Sequence, residues 1–104
     1  MRKEKKEFNM SRLLLIDHDE RQFLVDRIDR TFELGISSLK NDGPWDELYL
    51  DYDLGDINPK HTGEGIMKFL EEFPEYKPGE IIFTTSNAVE LKIMEFIRKK
   101  IYNE

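Results

Sequence analysis

Three short apolar runs in this chain each empty into polar residues. Leu13-Leu14-Leu15-Ile16 is followed by Asp17-His18-Asp19. Leu48-Tyr49-Leu50 is followed by Asp51-Tyr52-Asp53-Leu54-Gly55, and Ile81-Ile82-Phe83 by Thr84-Thr85-Ser86-Asn87. Runs of three or four consecutive apolar residues read as strands covered on both faces, the form strands take in a parallel sheet. Ligands of open α/β sheets bind at the carboxyl ends of the strands. The pattern therefore predicts an α/β fold whose acids and hydroxyls gather along one sheet edge.

The intervening segments supply helices and turns. Thr62 can cap a helix that runs to Phe73 and stops at Pro74, with Ile66, Phe69, Leu70 and Phe73 inward. Asn87 with Glu90 reads as a capping box opening a last helix to about Tyr102. Its expected inward stripe is Val89, Ile93, Phe96, Ile97 and Ile101, with Leu91, Met94 and Tyr102 off it. Asn41-Asp42-Gly43-Pro44 is a turn, and Trp45 after it reads as a core lid. Residues 19–41 are ambiguous. Leu24, Ile28, Phe32, Ile36 and Leu39 allow one long helix, whereas Gly35 and a fresh start at Thr31 favour a short edge strand over about Phe23 to Ile28 and a helix from Thr31 to Lys40. Gly63 and Gly65 lack the spacing of a dinucleotide fingerprint.

Side by side in a parallel sheet, Asp17, Asp19, Asp51 and Asp53 converge. Like charges brought together are costly unless a cation joins them, and oxygen ligands without cysteine suit Mg²⁺. Mg²⁺ keeps positions for phosphate oxygens, so the constellation predicts a phosphate-bearing ligand. Asp51 is the candidate nucleophile, Thr84 and Thr85 candidate hydroxyl donors, and the amides opening the last helix a candidate anion cradle. His18 and His61 lack metal-ligand spacing to each other and read as surface or hydrogen-bonded histidines, and Asp56 as a solvated loop acid.

With 104 residues and a net charge of −6, the chain argues against general nucleic-acid binding, whose affinity comes from clustered Lys and Arg. The expected organisation is a flexible basic arm, residues 1–10, followed by one domain, residues 11–104. No secretory signal or membrane span is expected, which points to the cytoplasm.

Leu50-Asp51-Tyr52-Asp53-Leu54-Gly55 resembles the Leu-Asp-His-Asp-Leu-Gly signature of the cyclic-phosphate processing receiver domains, small relatives of response-regulator receivers. Ile16-Asp17-His18-Asp19 with Arg21 resembles the acidic end of their first strand. Arg30-Thr31-Phe32-Glu33 through Leu39-Lys40 resembles their first well-formed helix, and Thr62-Gly63 the segment after the signature. Thr84-Thr85-Ser86-Asn87 stands where the family usually shows His-Ser-x-Asn. The resemblance settles the ambiguous stretch as strand then helix. It implies a flavodoxin-like, receiver-like three-layer sandwich: a truncated four-stranded parallel sheet, order 2-1-3-4, with helices on both faces.

The resemblance also implies a Mg²⁺-dependent phosphoesterase acting on cyclic phosphate, such as 2′,3′-cyclic RNA ends, with Asn87 as a ligand-binding residue. Tyr52 and Thr84 replace the family's histidines, which implies weakened catalysis, because neither group titrates near neutral pH. Two other readings stand beside it: a signalling receiver phosphorylated on Asp51, and a non-catalytic protein-interaction module. A full receiver continues into a fifth strand and helix beyond the position of Glu104. Ile81–Thr84 is therefore expected to be an open edge. It would join the apolar residues Leu91, Met94 and Tyr102 in a homodimer or protein-partner interface.

Overall fold

The computed structural model describes residues 11–19 and 24–103. The basic arm, Arg21 and Phe23 lie outside the described residues. Four strands, β1 (Leu13–Ile16), β2 (Arg27–Asp29), β3 (Glu47–Leu50) and β4 (Glu80–Phe83), form one sheet in the order β2-β1-β3-β4. Every pairing is parallel. Three helices, α1 (Phe32–Asn41), α2 (Gly63–Glu72) and α3 (Ala88–Tyr102), complete the fold, with a 3₁₀ turn at Pro74–Tyr76. The order and the all-parallel pairing are those expected of a receiver-like fold.

The core sits between the helices and one face of the sheet. Leu14 pairs with Leu48, which pairs with Ile81, and Ile16 pairs with Leu50. Alternation along each strand puts all five side chains on the same face. They share one buried cluster with Leu39 of α1, Ile66, Met67 and Leu70 of α2, and Met94, Ile97 and Ile101 of α3. Among the described residues, then, all three helices pack on this face. The opposite face carries Leu15 and Tyr49. Gly35 would be costly in a free helix, yet here a Cβ on it would stand 2.7 Å from Ile16 Cδ1. Its lack of a side chain lets α1 lie against β1.

The caps follow the sequence. Thr31 Oγ1 accepts from Leu34 N (3.1 Å) and Thr62 Oγ1 from Gly65 N (3.3 Å), so both helices start where a threonine can satisfy an orphan amide. Trp45 is buried, donating Nε1–H to Ser38 O (3.0 Å) beneath the Arg12 guanidinium, 4.1 Å from the ring centre.

Two helix faces differ from expectation. In α2 the third inward residue is Met67, while Phe73, at the C-cap, is exposed. In α3 the buried residues are Met94, Ile97 and Ile101, while Val89 and Phe96 are 69% and 65% exposed. Apolar residues occur on two sides of this helix, and packing against α2 selects the side of Met94. The surplus apolar side chains are thus Val89, Ile93 and Phe96. Tyr102 is tied down, its hydroxyl donating to Pro78 O (2.6 Å). β4 is a sheet edge, as expected, but α3 blunts it: Arg98 Nη1 donates to Ile81 O (2.8 Å), with its guanidinium 4.8 Å from the centre of the Phe83 ring. Among the described residues no helix is long and apolar enough to cross a membrane.

Candidate functional site

Each strand ladder runs one residue past its strand, and those residues are the polar ones. Asp17 N donates to Asp29 O (3.1 Å), Asp51 N to Ile16 O (3.1 Å) and Thr84 N to Leu50 O (2.9 Å). Because Ile16 pairs with Leu50 and Leu50 with Phe83, Asp17, Asp51 and Thr84 stand side by side at the carboxyl edge. Asp17 is fully buried and Asp51 is 6% exposed. One oxygen from each of Asp17, Asp19 and Asp51 and a ring nitrogen of His18 lie within 4.8 Å of one another.

Local hydrogen bonds fix these carboxylates. Asp17 Oδ1 accepts from Asp19 N (2.9 Å) and Asp51 Oδ1 from Tyr52 N (2.8 Å). Arg30 Nη1 donates to the backbone oxygen of Asp17 (3.2 Å) and to that of Asp19, holding the acidic turn and bringing a positive charge to it. Asp53 faces another way. Its Oδ1 accepts from Gly55 N (2.9 Å), and it lies outside the cluster of convergent ligand atoms. Its backbone oxygen instead accepts from His18 Nδ1 (2.7 Å).

That last bond settles the His18 tautomer, since a carbonyl can only accept. The other ring nitrogen, Nε2, faces Asp19 Oδ1, 3.4 Å away. A ring nitrogen of His18 thus stands within reach of any cation that the acidic oxygens would hold. His18 is hydrogen-bonded, one of the two roles the sequence allowed, and it also stands in the acidic cluster. The only signal was its place between two aspartates at a strand end. Gly55 makes room for it: its φ is +70°, and a Cβ there would come within 3.0 Å of His18 Cδ2.

The other two strand-end segments are committed to helix starts. Gly63 N donates to Tyr52 O (2.7 Å), and a Cβ on Gly63 would stand 2.2 Å from Asp51 O, so the first turn of α2 rests on the Asp51–Tyr52 backbone. Asn87 Oδ1 accepts from Val89 N and Glu90 N (3.0 Å each) as the cap of α3. The expected capping box is relayed. Thr85 Oγ1 donates to Glu90 Oε1 (3.0 Å) and accepts from Asn87 N (3.3 Å). Thr85 and the Asn87 oxygen therefore serve the helix, while Thr84 stands next to Asp51 along the edge.

A model of the cyclic-phosphate processing receiver domain matches residues 11–99. The chain belongs to that family. Searches of curated proteins and of solved structures return no match. In this receiver domain the signature segment is the turn that leaves β3, with Asp51 in the acidic cluster and Gly55 against His18. Tyr52, at the position of the signature histidine, is half-buried and donates its hydroxyl to Glu64 Oε1 (3.1 Å). Burial first, and then the bond to Glu64, raises its pKa further above the ordinary phenol value. The phenol thus stays protonated at neutral pH and is a poor proton acceptor.

Asp56 and His61 meet in a group separate from the acidic cluster. His61 Nδ1 donates to Asp56 Oδ2 (2.8 Å), lies 3.4 Å from Glu33 Oε2, and its ring stacks on Phe32 at 4.2 Å. The Asn58 amide, then His61, holds the Asp56 carboxyl below its usual range. Glu33, Asp56 and His61 form a second group able to hold a metal.

Proposed function

We propose that this receiver domain binds Mg²⁺ and a phosphate-bearing ligand of the cyclic-phosphate class at the Asp17–Asp51 edge, with slow turnover or none. The observation that carries the reading is the convergence of Asp17, Asp19, Asp51 and His18 within 4.8 Å at the buried ends of two adjacent strands. Three carboxylates and no thiolate suit a hard divalent cation. Asp17 and Asp51, held by the Asp19 and Tyr52 amides, would be its primary ligands, with Asp19 and the His18 ring beside them. Bound there, Mg²⁺ would supply charge neutralisation to a phosphate and relieve repulsion between the acids.

The chain's own residues then orient and exclude. Thr84 is the hydroxyl assigned to a phosphate oxygen, and the α2 first turn closes one side. Asn87 could serve a ligand through its Nδ2. In the signalling reading Asp51 would be the carboxylate that attacks phosphorus, as in a phosphorylated receiver. Proton transfer is the weak step, because Tyr52 is held protonated and Thr84 does not titrate near neutral pH. His18 is the remaining imidazole at this edge.

The test is calorimetry with MgCl₂, then with adenosine 2′,3′-cyclic phosphate, together with a turnover assay and mass spectrometry after a small phosphodonor. Mg²⁺-dependent binding with turnover far slower than 1 s⁻¹ is expected, against the typical enzyme rates of about 10 s⁻¹. Binding that ignores Mg²⁺ overturns the reading. Fast turnover abolished by His18→Gln would transfer the proton-handling role to His18 and refute slow catalysis. A stable phosphate adduct on Asp51 would favour the signalling reading.

A further inference from the structure

A groove of about 550 Å³ runs between α1 and α2, lined by the rings of Phe32, His61 and Phe69 together with Lys60, Lys68 and Glu64. Its size and its mixture of aromatic surface with a few charged groups are those of a small-molecule site. Its walls are set before any ligand arrives. The Phe32 and His61 rings stack with nearly parallel planes, 4° apart, and His61 is held by Asp56, by Glu33 and by Asn58 Nδ2, which donates to its Nε2 (3.4 Å). A Cβ on Gly65 would stand 2.0 Å from Lys60 O and 3.0 Å from Phe32 Cε1, so a bare helix surface brings the loop and the ring together.

The groove and the acidic edge share one structural part, the first turn of α2. Gly63 rests on Asp51 O, Thr62 and Glu64 line the groove, and Glu64 accepts from the Tyr52 hydroxyl, one residue beyond Asp51. The groove and the edge are thus joined through Gly63, which lies between two groove-lining residues and against Asp51 O. The charges identify what would fill the groove. A purely apolar side chain would remove Lys60, Lys68 and Glu64 from water and return no hydrogen bonds. A nucleobase stacks on rings and offers donors and acceptors along its rim.

We propose that the α1–α2 groove seats the nucleobase of the ligand whose phosphate lies at the Asp17–Asp51 edge, an inference that rests on the phosphate reading above. Three probes separate the two: adenosine 2′,3′-cyclic phosphate, glycerol 1,2-cyclic phosphate, which has no base, and adenosine, which has no phosphate. Each is titrated with Mg²⁺ present, by calorimetry and by following the ring protons of Phe32, His61 and Phe69. The base should strengthen binding about ten-fold or more over the glycerol probe, the range of a single stacked base. Adenosine alone should shift those ring protons, and Phe32→Leu should shrink the ratio between the two cyclic phosphates. Equal affinity for the two cyclic phosphates, with the ring protons unmoved by adenosine, overturns the base seat and leaves the phosphate site standing. Ring shifts with adenosine but no binding of the glycerol probe would keep the groove as a base seat and remove the phosphate reading. Phe32→Leu could disturb folding, but the three-probe comparison on the unaltered chain decides the matter without it.

Discussion

Asp51→Asn should make the metal-free protein more stable while removing its response to Mg²⁺. Asp17 and Asp51 are both buried and offer oxygens within 4.8 Å of each other. Two like charges at that distance repel by about 3.5 kcal/mol at an effective dielectric constant of about 20. The nearby Arg30 guanidinium offsets part of this. Asparagine would keep the oxygen that accepts from Tyr52 N but bind it less strongly than a carboxylate, a loss of about 1 kcal/mol. A net gain of about 1–2 kcal/mol remains, or roughly 4–15 °C in Tm for a domain of this size. The assay is thermal unfolding in chelator and then in rising MgCl₂. The parent should start lower and climb, gaining about 2.7 kcal/mol at one hundred times its Kd, while the variant stays flat. A variant less stable than the parent in chelator, or one that climbs equally with Mg²⁺, would refute the reasoning.

Other expectations follow from the packing. Gly63→Ala should lose about 3 kcal/mol in urea unfolding, since its Cβ would meet the Asp51 backbone; wild-type stability would contradict that close approach. Met94→Glu should fail to fold, because it buries a carboxylate with no partner in the core. Phe96→Glu should unfold within about 1 kcal/mol of the parent; the reverse order would mean that α3 is turned the other way. Asp56 has its carboxyl pKa depressed in the fold, so its contribution is present above the ordinary value of 3.8 and lost as pH falls below it. The Tm difference between the parent and Asp56→Asn should accordingly be larger at pH 6 than at pH 3, and a difference unchanged between the two would deny the link.

The apolar runs before Asp17, Asp51 and Thr84 made the strands, their parallel pairing and the acidic edge legible, because each run is too short for a helix and ends in polar residues, as a strand of an open parallel sheet does. The helical side of residues 19–41 needed the family resemblance, since Leu24 and Ile28 fit a helix as well as a strand. The face of α3 was not legible. Val89, Ile93 and Phe96 have the same helical spacing as Met94, Ile97 and Ile101, and only the surface of α2 distinguishes them. The place of His18 in the cluster was not legible, because the Asp53 carbonyl that holds its ring lies thirty-five positions away in sequence. Thr85 was given a ligand role because the relayed cap through Glu90 is a side-chain detail that spacing does not reveal.

The central claim is that a divalent cation sits between the ends of β1 and β3, and amide line-broadening by Mn²⁺ tests it most directly. In the ¹⁵N-labelled protein, substoichiometric Mn²⁺ should broaden the amides of residues 17–19 and 51–55 first, and excess Mg²⁺ should restore them. Broadening centred instead on Glu33, Asp56 and His61, or spread evenly over the acidic surface, would contradict the account.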